Sequence, residues 1–321
     1  MKKVSIVIVN YNGMPHLDTC VASVLSQNYG NFDVIFVDNS SSDGSLDYAR
    51  SRFPQLIFVA NDKNLGYAGG INSGLNHATG EYIAPLNIDT EVATNWLSVM
   101  VHFLEENSQA GAVMPKILLF DKRDRVNTMG SDIHVTGLGF CRGLNKRNCD
   151  SKTPQRVSGV SGCSYLIRRD IFEKMGGAPE GNFMGNDDVV VSWLVNLMGY
   201  EIYCLPEAVV YHKYTLKMNP EKFFQLEKNR YLLLFYSLKP LTFVVLSPVF
   251  TFTEFLIWVY SLLKGMRYIQ AKLKACAAVW KSRAYIRKRR EQVQKLRSIS
   301  DFQLLKKMRW NLEWNQLLHI A

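Results

Sequence analysis

Residues 4–13 have the sequence VSIVIVNYNG, and this stretch decides how the rest of the chain is interpreted. The first six residues are all apolar except Ser5, without the polar alternation of a strand that faces water on one side. The apolar run stops at Asn10, which is too early for a secretion signal, and no small-residue cleavage site follows. Residues 4–9 are therefore predicted to form a buried β-strand.

The sequence beyond this strand alternates short apolar runs with helical patterns. Strands are predicted at residues 32–37, 56–60, 81–86, 112–119 and 202–205, and helices at 15–27, 44–53, 72–78, 95–107 and 188–197. Strands rich in Val and Ile and separated by helices are typical of an α/β fold whose mostly parallel sheet has helices on both faces. The polar segment 121–156 is predicted to be an irregular, mobile insertion.

Polar clusters follow four consecutive predicted strands, at residues 10–13, 38–44, 61–70 and 87–89. Any one of them would be typical of a turn, because Asn, Asp, Ser and Gly are common turn formers. Parallel strands bring their carboxyl ends to one edge of the sheet, where open α/β folds bind ligands. The four clusters together therefore favour a site for a polar ligand over coincidental turns.

Two phosphate-binding patterns are missing from the sequence. No G-x-G-x-x-G follows a predicted strand, which disfavours a dinucleotide dehydrogenase. No G-x-x-x-x-G-K-[ST] occurs either, so the sequence lacks the phosphate loop of P-loop ATPases.

Six segments resemble glycosyltransferase family 2, which has the Rossmann-like GT-A fold. They are most similar to its rhamnosyltransferase-like branch, found in bacterial polysaccharide assembly. The resemblance covers about residues 4–215, and it is specific because the order and spacing of all six segments match. The segments are residues 7–13, 37–44, 64–72, 86–92, 162–169 and 206–212.

The resemblance implies a nucleotide-sugar site at the sheet edge. Asp38 matches an aspartate that holds the nucleotide base, and a carboxylate there can accept a hydrogen bond from the imide N–H of uracil or thymine. A helix cap or an Asx turn is the alternative role for Asp38. The residues implied to bind the donor are Val9, Asn10, Tyr11, Asp38, Asn64, Gly66, Asn72 and Asn87.

A divalent cation, Mg²⁺ or Mn²⁺, is also implied by the resemblance. Asp89 matches the metal-binding aspartate of the DxD motif, and His212 matches a further metal contact. Asn87 replaces the first aspartate of that motif and can offer an amide oxygen but no charge. A single histidine after a strand can equally be structural, so the sequence leaves both roles open for His212.

The acidic pair Asp187 and Asp188 opens a predicted helix. The resemblance implies that Asp188 is the base that deprotonates the acceptor hydroxyl, with Asp187 beside it; simple helix capping is the alternative. Val190 and Leu194 stand where the family commonly has an acid and an arginine. These departures leave open a different acceptor or a chain that is not an enzyme.

The C-terminal part, residues 219–321, differs from residues 1–218 in composition and is predicted to be a separate helical region. The net charge of the chain is +10, and 15 Lys or Arg residues lie between Lys264 and Arg309 against only two acids. Residues 241–263 are apolar and could cross a bilayer, but they include Pro248 and Glu254.

We therefore predict apolar helices that lie in or dip into an anionic membrane surface, without a full span. A buried helical pair with a solvated basic face is the alternative. A nucleic-acid partner is disfavoured, since no nucleic-acid-binding module accompanies the basic residues.

The sequence as a whole predicts an inverting glycosyltransferase that moves a sugar from a nucleotide-diphospho-sugar donor to a glycan or a lipid-linked acceptor. We expect a peripheral or monotopic protein at the cytoplasmic face of the cell membrane, where its six cysteines would be reduced. Two alternatives stay open: a non-catalytic, membrane-associated nucleotide-sugar binding protein and a sugar nucleotidyltransferase. The latter should have a Gly-rich loop with a basic residue after the first strand, which residues 10–13 lack.

Overall fold

The computed structural model describes residues 1–179, 181, 183–214 and 218–319. Twelve strands form a large sheet and a small two-stranded one within this part of the chain. The strands are β1 (Val4–Asn10), β2 (Phe32–Asp38), β3 (Ile57–Ala60), β4 (Tyr82–Asn87), β5 (Thr90–Val92), β6 (Ala110–Leu119), β7 (Val126–Thr128), β8 (Ser131–Ile133), β9 (Gly139–Cys141), β10 (Gln155–Val157), β11 (Leu166–Arg168) and β12 (Glu201–His212).

Helices pack around the large sheet and make up most of the C-terminal part. Those that precede residue 219 are α1 (Met14–Leu25), α2 (Ser45–Arg52), α3 (Gly66–Leu75), α4 (Trp96–Glu106), α5 (Arg169–Lys174) and α6 (Asp187–Leu197). Those that follow are α7 (Pro220–Ser237), α8 (Pro240–Val245), α9 (Ser247–Lys264), α10 (Met266–Lys281), α11 (Arg283–Leu296), α12 (Asp301–Lys306) and α13 (Trp314–His319).

The large sheet has the strand order β10-β12-β6-β11-β4-β1-β2-β3, with β5 attached to β12 and β7 to β6. All seven residues of β1 are buried, as predicted for a strand that is covered on both faces. Its parallel register pairs Asn10 with Asp38 on β2 and Val9 with Asn87 on β4. Three of the predicted polar clusters therefore start at the same edge of the sheet.

The prediction of a mostly parallel sheet needs one correction, because the observed sheet is mixed. β11 lies between β4 and β6 and runs antiparallel to both. A strand of only three residues gives a weak periodicity signal, and Ser164 and Tyr165 directly before it are buried although both carry a hydroxyl group. The sequence pattern alone therefore did not separate β11 from a loop.

Residues 121–156, predicted to be a mobile loop or an irregular insertion, contain regular structure. This segment contains β7, β8, β9 and the start of β10, and several of its polar residues are buried, including Asn127 and His134. Their polar groups find partners inside the protein: Ser131 Oγ donates to the Val160 carbonyl at 2.8 Å, for example. Polar composition predicted exposure here because the sequence does not show that these groups are paired.

Helix α3 begins at Gly66, six residues before the predicted start at residue 72. The glycines at its beginning have low helix propensity, which is why the sequence did not predict this turn. Packing explains them: a Cβ atom on Gly70 would lie 2.6 Å from Val9 Cγ1, and one on Gly74 would lie 2.5 Å from Val7 Cγ1. The glycines thus allow α3 to lie directly against β1.

The C-terminal part is helical as predicted, and α7 starts close to the predicted boundary at residue 219. Its helices nevertheless share one hydrophobic core with the sheet. Leu233 of α7, Val293 of α11 and Leu304 of α12 are fully buried in the same cluster as β1 and β4. Residues 1–218 and the helices that follow are therefore packed together.

A cluster of four buried or half-buried charges connects α7, α9 and α10. Arg230 Nη2 donates to Glu227 Oε2 at 2.8 Å and to Glu254 Oε1 at 2.5 Å. Lys272 Nζ, which is fully buried, donates to Glu227 Oε2 and, at 2.8 Å, to Glu254 Oε2. Burial would raise the pKa of Glu227, but the charges of Arg230 and Lys272 lower it, so this carboxyl group is ionised.

The four charges of this cluster sum to zero, and each finds an opposite partner. This arrangement explains why Glu254 interrupts an otherwise apolar run: the glutamate pairs with Arg230 and Lys272. In the part of the chain that the structure describes, no helix has the length and apolarity needed to cross a membrane.

Replacing Lys272 with Met should destabilise the protein by about 3 kcal/mol or more, because removal of one partner leaves a buried carboxylate undercompensated. Urea denaturation followed by tryptophan fluorescence measures this change. Lys274→Met, two residues along α10 at an exposed position, is the control and should change the stability by less than about 0.5 kcal/mol. Equal effects of the two substitutions would contradict a stabilising role for the cluster.

Candidate active site

A cleft of about 440 Å³ lies at the carboxyl ends of β1 and β4. Six of the residues predicted to bind donor or metal line it: Val9, Tyr11, Asn64, Gly66, Asn87 and Asp89. The other four, Asn10, Asp38, Asn72 and His212, do not line it. The predicted edge of the sheet therefore carries a cleft lined in part by polar side chains.

Asp89 and His212 lie together, as predicted for two metal contacts. Asp89 follows β4, and His212 is the last residue of β12, where it pairs with Thr90 of β5. His212 Nε2 is 3.3 Å from Asp89 Oδ1. Burial would raise the pKa of Asp89, but the hydrogen bond and the charge of His212 outweigh this and lower it. An ionised carboxylate thus faces the cleft beside an imidazole.

Asn127 of β7 holds the other side of the His212 ring. Its Oδ1 atom is 3.0 Å from His212 Nδ1, and the Asn127 side chain is buried. An acceptor at this place keeps a proton on Nδ1 and turns Nε2 toward Asp89, where Nε2 donates to the carboxylate unless a bound cation takes the place of that proton. The sequence analysis missed Asn127 because it lies in the segment predicted to be irregular.

Asp89 and His212 fit a divalent cation that also binds a diphosphate. No group of three or more His, Cys, Asp or Glu residues that could hold a metal lies within the described ranges. Mg²⁺ and Mn²⁺ are commonly held by one or two protein side chains together with phosphate oxygens and water. The pair is therefore suited to a metal that arrives with, or is completed by, a phosphorylated ligand.

Asp38 and Asn10 do not line the cleft but fix the loops beside it. Asp38 is 2% exposed; its Oδ1 accepts from Asn10 Nδ2 at 2.8 Å and its Oδ2 from the Ser41 backbone N–H at 2.9 Å. The second contact reaches the backbone three residues along the chain, so Asp38 holds this loop through a local side-chain-to-backbone bond. Asn39, the next residue, lines the cleft instead.

Gly66 shows why a glycine is required at the cleft wall. Its φ angle is +73°, and a Cβ atom on it would lie 2.1 Å from the Phe183 carbonyl oxygen. The Gly66 N–H donates to Asn64 Oδ1 at 2.8 Å, so these two predicted residues form one turn. Phe183 and Met184 line the same cleft from the loop that precedes α6.

Asn72 lies away from the cleft lining, although it was predicted to bind the donor. Its amide bonds to the backbone of Ala178, accepting from the N–H at 2.8 Å and donating to the carbonyl at 3.0 Å. These two bonds connect α3 to the chain that follows α5.

The acidic pair begins helix α6, as predicted. Asp188 Oδ2 accepts from the Gly162 N–H at 3.0 Å, and Tyr67 Oη donates to the Gly162 carbonyl at 2.5 Å. Tyr67 lines the cleft, so Asp188 and a cleft residue are bonded to the same residue, Gly162. Asp187 is its buried neighbour.

Burial raises the pKa of Asp188, although backbone N–H groups of Gly162 and Val189 oppose this shift. A carboxylate with a raised pKa is a stronger base than an exposed one, which suits proton abstraction from a hydroxyl group.

Val190 and Leu194, the two departures from the family pattern, are buried in the core. An acid or an arginine there is replaced by apolar packing of α6 against the rest of the protein.

His16 is a cleft residue that the sequence analysis did not identify. It lies in the first turn of α1 and lines the cleft near Asp89. Burial and the charge of Lys213 lower the pKa of His16, while Asp89 raises it to a smaller extent. A neutral imidazole is thus available near Asp89, the predicted metal ligand. Only its position three residues after the polar cluster 10–13 could have indicated this role.

Comparisons with known proteins agree with this geometry. The poly-β-1,6-N-acetyl-D-glucosamine synthase of Staphylococcus epidermidis is 26% identical over 210 residues, which are 64% of this chain and 48% of that protein. The UDP-Glc:α-D-GlcNAc-diphosphoundecaprenol β-1,3-glucosyltransferase WfaP of Escherichia coli is 37% identical over 106 residues, 33% of this chain and 42% of WfaP. The chain spans about half the length of the curated relatives it matches.

A solved structure shows the same fold. The mannosyltransferase PcManGT from Pyrobaculum calidifontis, in complex with GDP-Man and Mn²⁺, superposes with a TM-score of 0.53 at 18% identity, covering 92% of this chain and 74% of that one. The family model described as glycosyl transferase family 2 matches residues 5–176, which is more than half of the chain. The chain therefore belongs to glycosyl transferase family 2.

Proposed function

We propose that this protein is an inverting glycosyltransferase that transfers a sugar from a nucleotide-diphospho-sugar to a hydroxyl group of a glycan or lipid-linked acceptor. The observation that carries this proposal is the position of Asp89 in the lining of the cleft with His212 bonded to it. Asp188 is bonded to Gly162, which also binds the cleft residue Tyr67. The mannosyltransferase structure with GDP-Man and Mn²⁺ supports the donor class and the metal.

Different residues of this chain would bind the nucleotide of the donor and the cation at its diphosphate. The nucleotide would lie against Val9, Tyr11 and Asn39, with Asp38 holding the loop that Asn39 belongs to. Asn87, Asp89 and His212 would hold the cation, which neutralises the charge that develops on the diphosphate as the glycosidic bond breaks.

Asp188 would act as the general base of a single displacement. It accepts the proton of the acceptor hydroxyl while the oxygen attacks the anomeric carbon from the side opposite the diphosphate. One C–O bond forms, the bond between the anomeric carbon and the phosphate oxygen breaks, and the anomeric configuration inverts. Binding both substrates in one cleft supplies a large part of the rate by removing the entropy cost of their encounter.

We place the protein in the rhamnosyltransferase-like branch, because Asn87 in place of an aspartate is frequent there. The acceptor would be a lipid-linked glycan at the cytoplasmic face of a membrane. The name of WfaP specifies a sugar on diphosphoundecaprenol as its acceptor, which supports this class.

A non-catalytic nucleotide-sugar binding protein is the second candidate, since Val190 replaces an acid close to the acceptor side. Replacing Asp188 with Asn separates the two. For an enzyme, the rate of sugar release from a panel of UDP, GDP and dTDP sugars with Mn²⁺ should fall by about 10²–10⁴-fold, because the base is lost. The dissociation constant of the donor, measured by calorimetry, should change by less than about threefold.

Asp170→Asn is the control for this experiment. Asp170 lies on the surface of α5, where it pairs only with Lys174 in the described contacts. Its replacement should leave both the rate of sugar release and the affinity for the donor unchanged. Wild-type protein that binds a donor but releases no sugar with any acceptor or with water would favour the non-catalytic candidate.

The activity should depend on the ionisation of Asp188. Because burial raises its pKa, the base becomes protonated at a higher pH than an exposed aspartate, whose pKa is about 3.9. The value of kcat/KM should therefore fall as the pH decreases, with a midpoint above about 4. The residual activity of Asp188→Asn should lack this acidic limb. An identical acidic limb in both proteins would assign it to another group.

Asn127 should act as a positioning residue for His212. Replacing it with Leu removes the acceptor for Nδ1 and should weaken Mn²⁺ binding by about 10–100-fold. The affinity is measured by titration of Mn²⁺ in the presence of UDP or GDP, whichever increases Mn²⁺ binding to the wild type. Asn127→Asp keeps an acceptor oxygen and should retain the affinity within a few-fold. Wild-type affinity in Asn127→Leu would contradict this role.

A further inference from the structure

A concentrated apolar surface lies on α8, α9 and the start of α10. Eight large apolar side chains are exposed between residues 241 and 266, each by more than half. We call them the α8–α9 apolar surface: Leu241, Val244, Val245, Phe252, Phe255, Leu262, Leu263 and Met266. Soluble monomers rarely leave so much apolar surface in contact with water, so such surfaces mark sites of interaction.

Helix α9 has two faces with different environments. Thr253, Ile257 and Ser261 are buried, at a spacing of four residues that puts them on one side of the helix. Phe252, Phe255 and Leu262 are exposed on the opposite side, at spacings of three and seven residues. The inner face is held by α7 and α10, so only the outer face is available to a partner.

The inner face also rules out removal of α9 from the protein into a bilayer. Glu254 of this helix is bonded to Arg230 and Lys272. Pulling the helix away would break these two ion pairs and leave Lys272, which is fully buried, without one of its partners. A partner must therefore bind the outer face while the helix stays packed.

Cations stand at both ends of this apolar segment. Lys239 precedes α8, Lys264 ends α9 and Arg267 lies at the start of α10; all three are exposed. Lys264 Nζ lies 5.9 Å from the centre of the Tyr260 ring. Between Lys239 and Lys264 the only charged residue is Glu254, which the inner ion pairs occupy. The outer face is therefore apolar and uncharged with a cationic border.

We propose that the α8–α9 apolar surface docks the protein onto an anionic lipid bilayer, with its side chains at the boundary between headgroups and acyl chains. The apolar side chains would leave water, and Lys239, Lys264 and Arg267 would pair with lipid phosphates. This deepens the proposed function, on which it rests for the lipid-linked acceptor, by assigning the surface that brings the cleft to that acceptor.

Flotation of the full-length protein with vesicles tests the proposal without any donor or metal, so it does not depend on catalysis. At low salt, wild-type protein should float with anionic vesicles that contain about 30% phosphatidylglycerol in phosphatidylcholine. Phe255→Asp combined with Leu262→Asp should abolish flotation, because two charges would enter the apolar layer. Both positions are exposed, so the fold should tolerate the change, and circular dichroism checks this.

Lys264→Gln combined with Arg267→Gln should reduce partitioning into the anionic vesicles by about 25-fold, since each cation contributes about a fivefold factor. Partitioning into vesicles of phosphatidylcholine alone should be unchanged by these two substitutions. The matched control is Lys122→Gln combined with Lys146→Gln, two exposed lysines elsewhere on the protein, which should partition like the wild type.

Three outcomes would overturn the proposal. One is wild-type protein that does not float with anionic vesicles. Another is flotation that persists in Phe255→Asp with Leu262→Asp. The third is a stable dimer in solution that these substitutions convert to a monomer while vesicle binding is absent, which would assign the surface to a second copy of the chain. Loss of sugar transfer with intact flotation would instead count against the proposed function alone.

Discussion

The backbone of Gly162 and Cys163 connects the two halves of the site. The Asn87 N–H donates to the Cys163 carbonyl at 3.0 Å, and the Gly162 N–H donates to Asp188 Oδ2 at 3.0 Å. One side of this segment therefore holds the end of β4, which leads to Asp89, and the other holds the start of α6. These bonds help to fix the position of Asp89 relative to the proposed base Asp188.

The C-terminal helices complete this arrangement from the other side. Asn229 of α7 donates to the Gly185 carbonyl at 2.9 Å, and Asn186 donates to the Leu226 carbonyl at 3.0 Å. The loop that contributes Phe183 to the cleft and leads into Asp188 is thus held by α7. The helices after residue 219 therefore act on the site as well as on the proposed membrane surface.

The sequence predicted the parallel strands β1 to β4 and the acidic start of α6, because long apolar runs and the order of motifs are local signals. It missed Asn127, whose role depends on a contact with His212, 85 positions away. It also assigned Asn72 to the donor, although a distant backbone segment takes up its amide. Hydrogen bonds between residues that are far apart in the sequence decide such roles, and a single sequence does not show which residues are bonded.

The cluster of four charges limits which changes of sequence the protein can accept. Its members are Glu227, Arg230, Glu254 and Lys272. A chain ending before α10 would keep Arg230 and both glutamates but lose the ammonium group that balances them, next to α7, the helix that holds the loop before α6. The helices with the α8–α9 apolar surface and the part of the chain with the cleft are therefore coupled through these charges. Recombination with a relative would succeed only if both sides of this charge balance were inherited together.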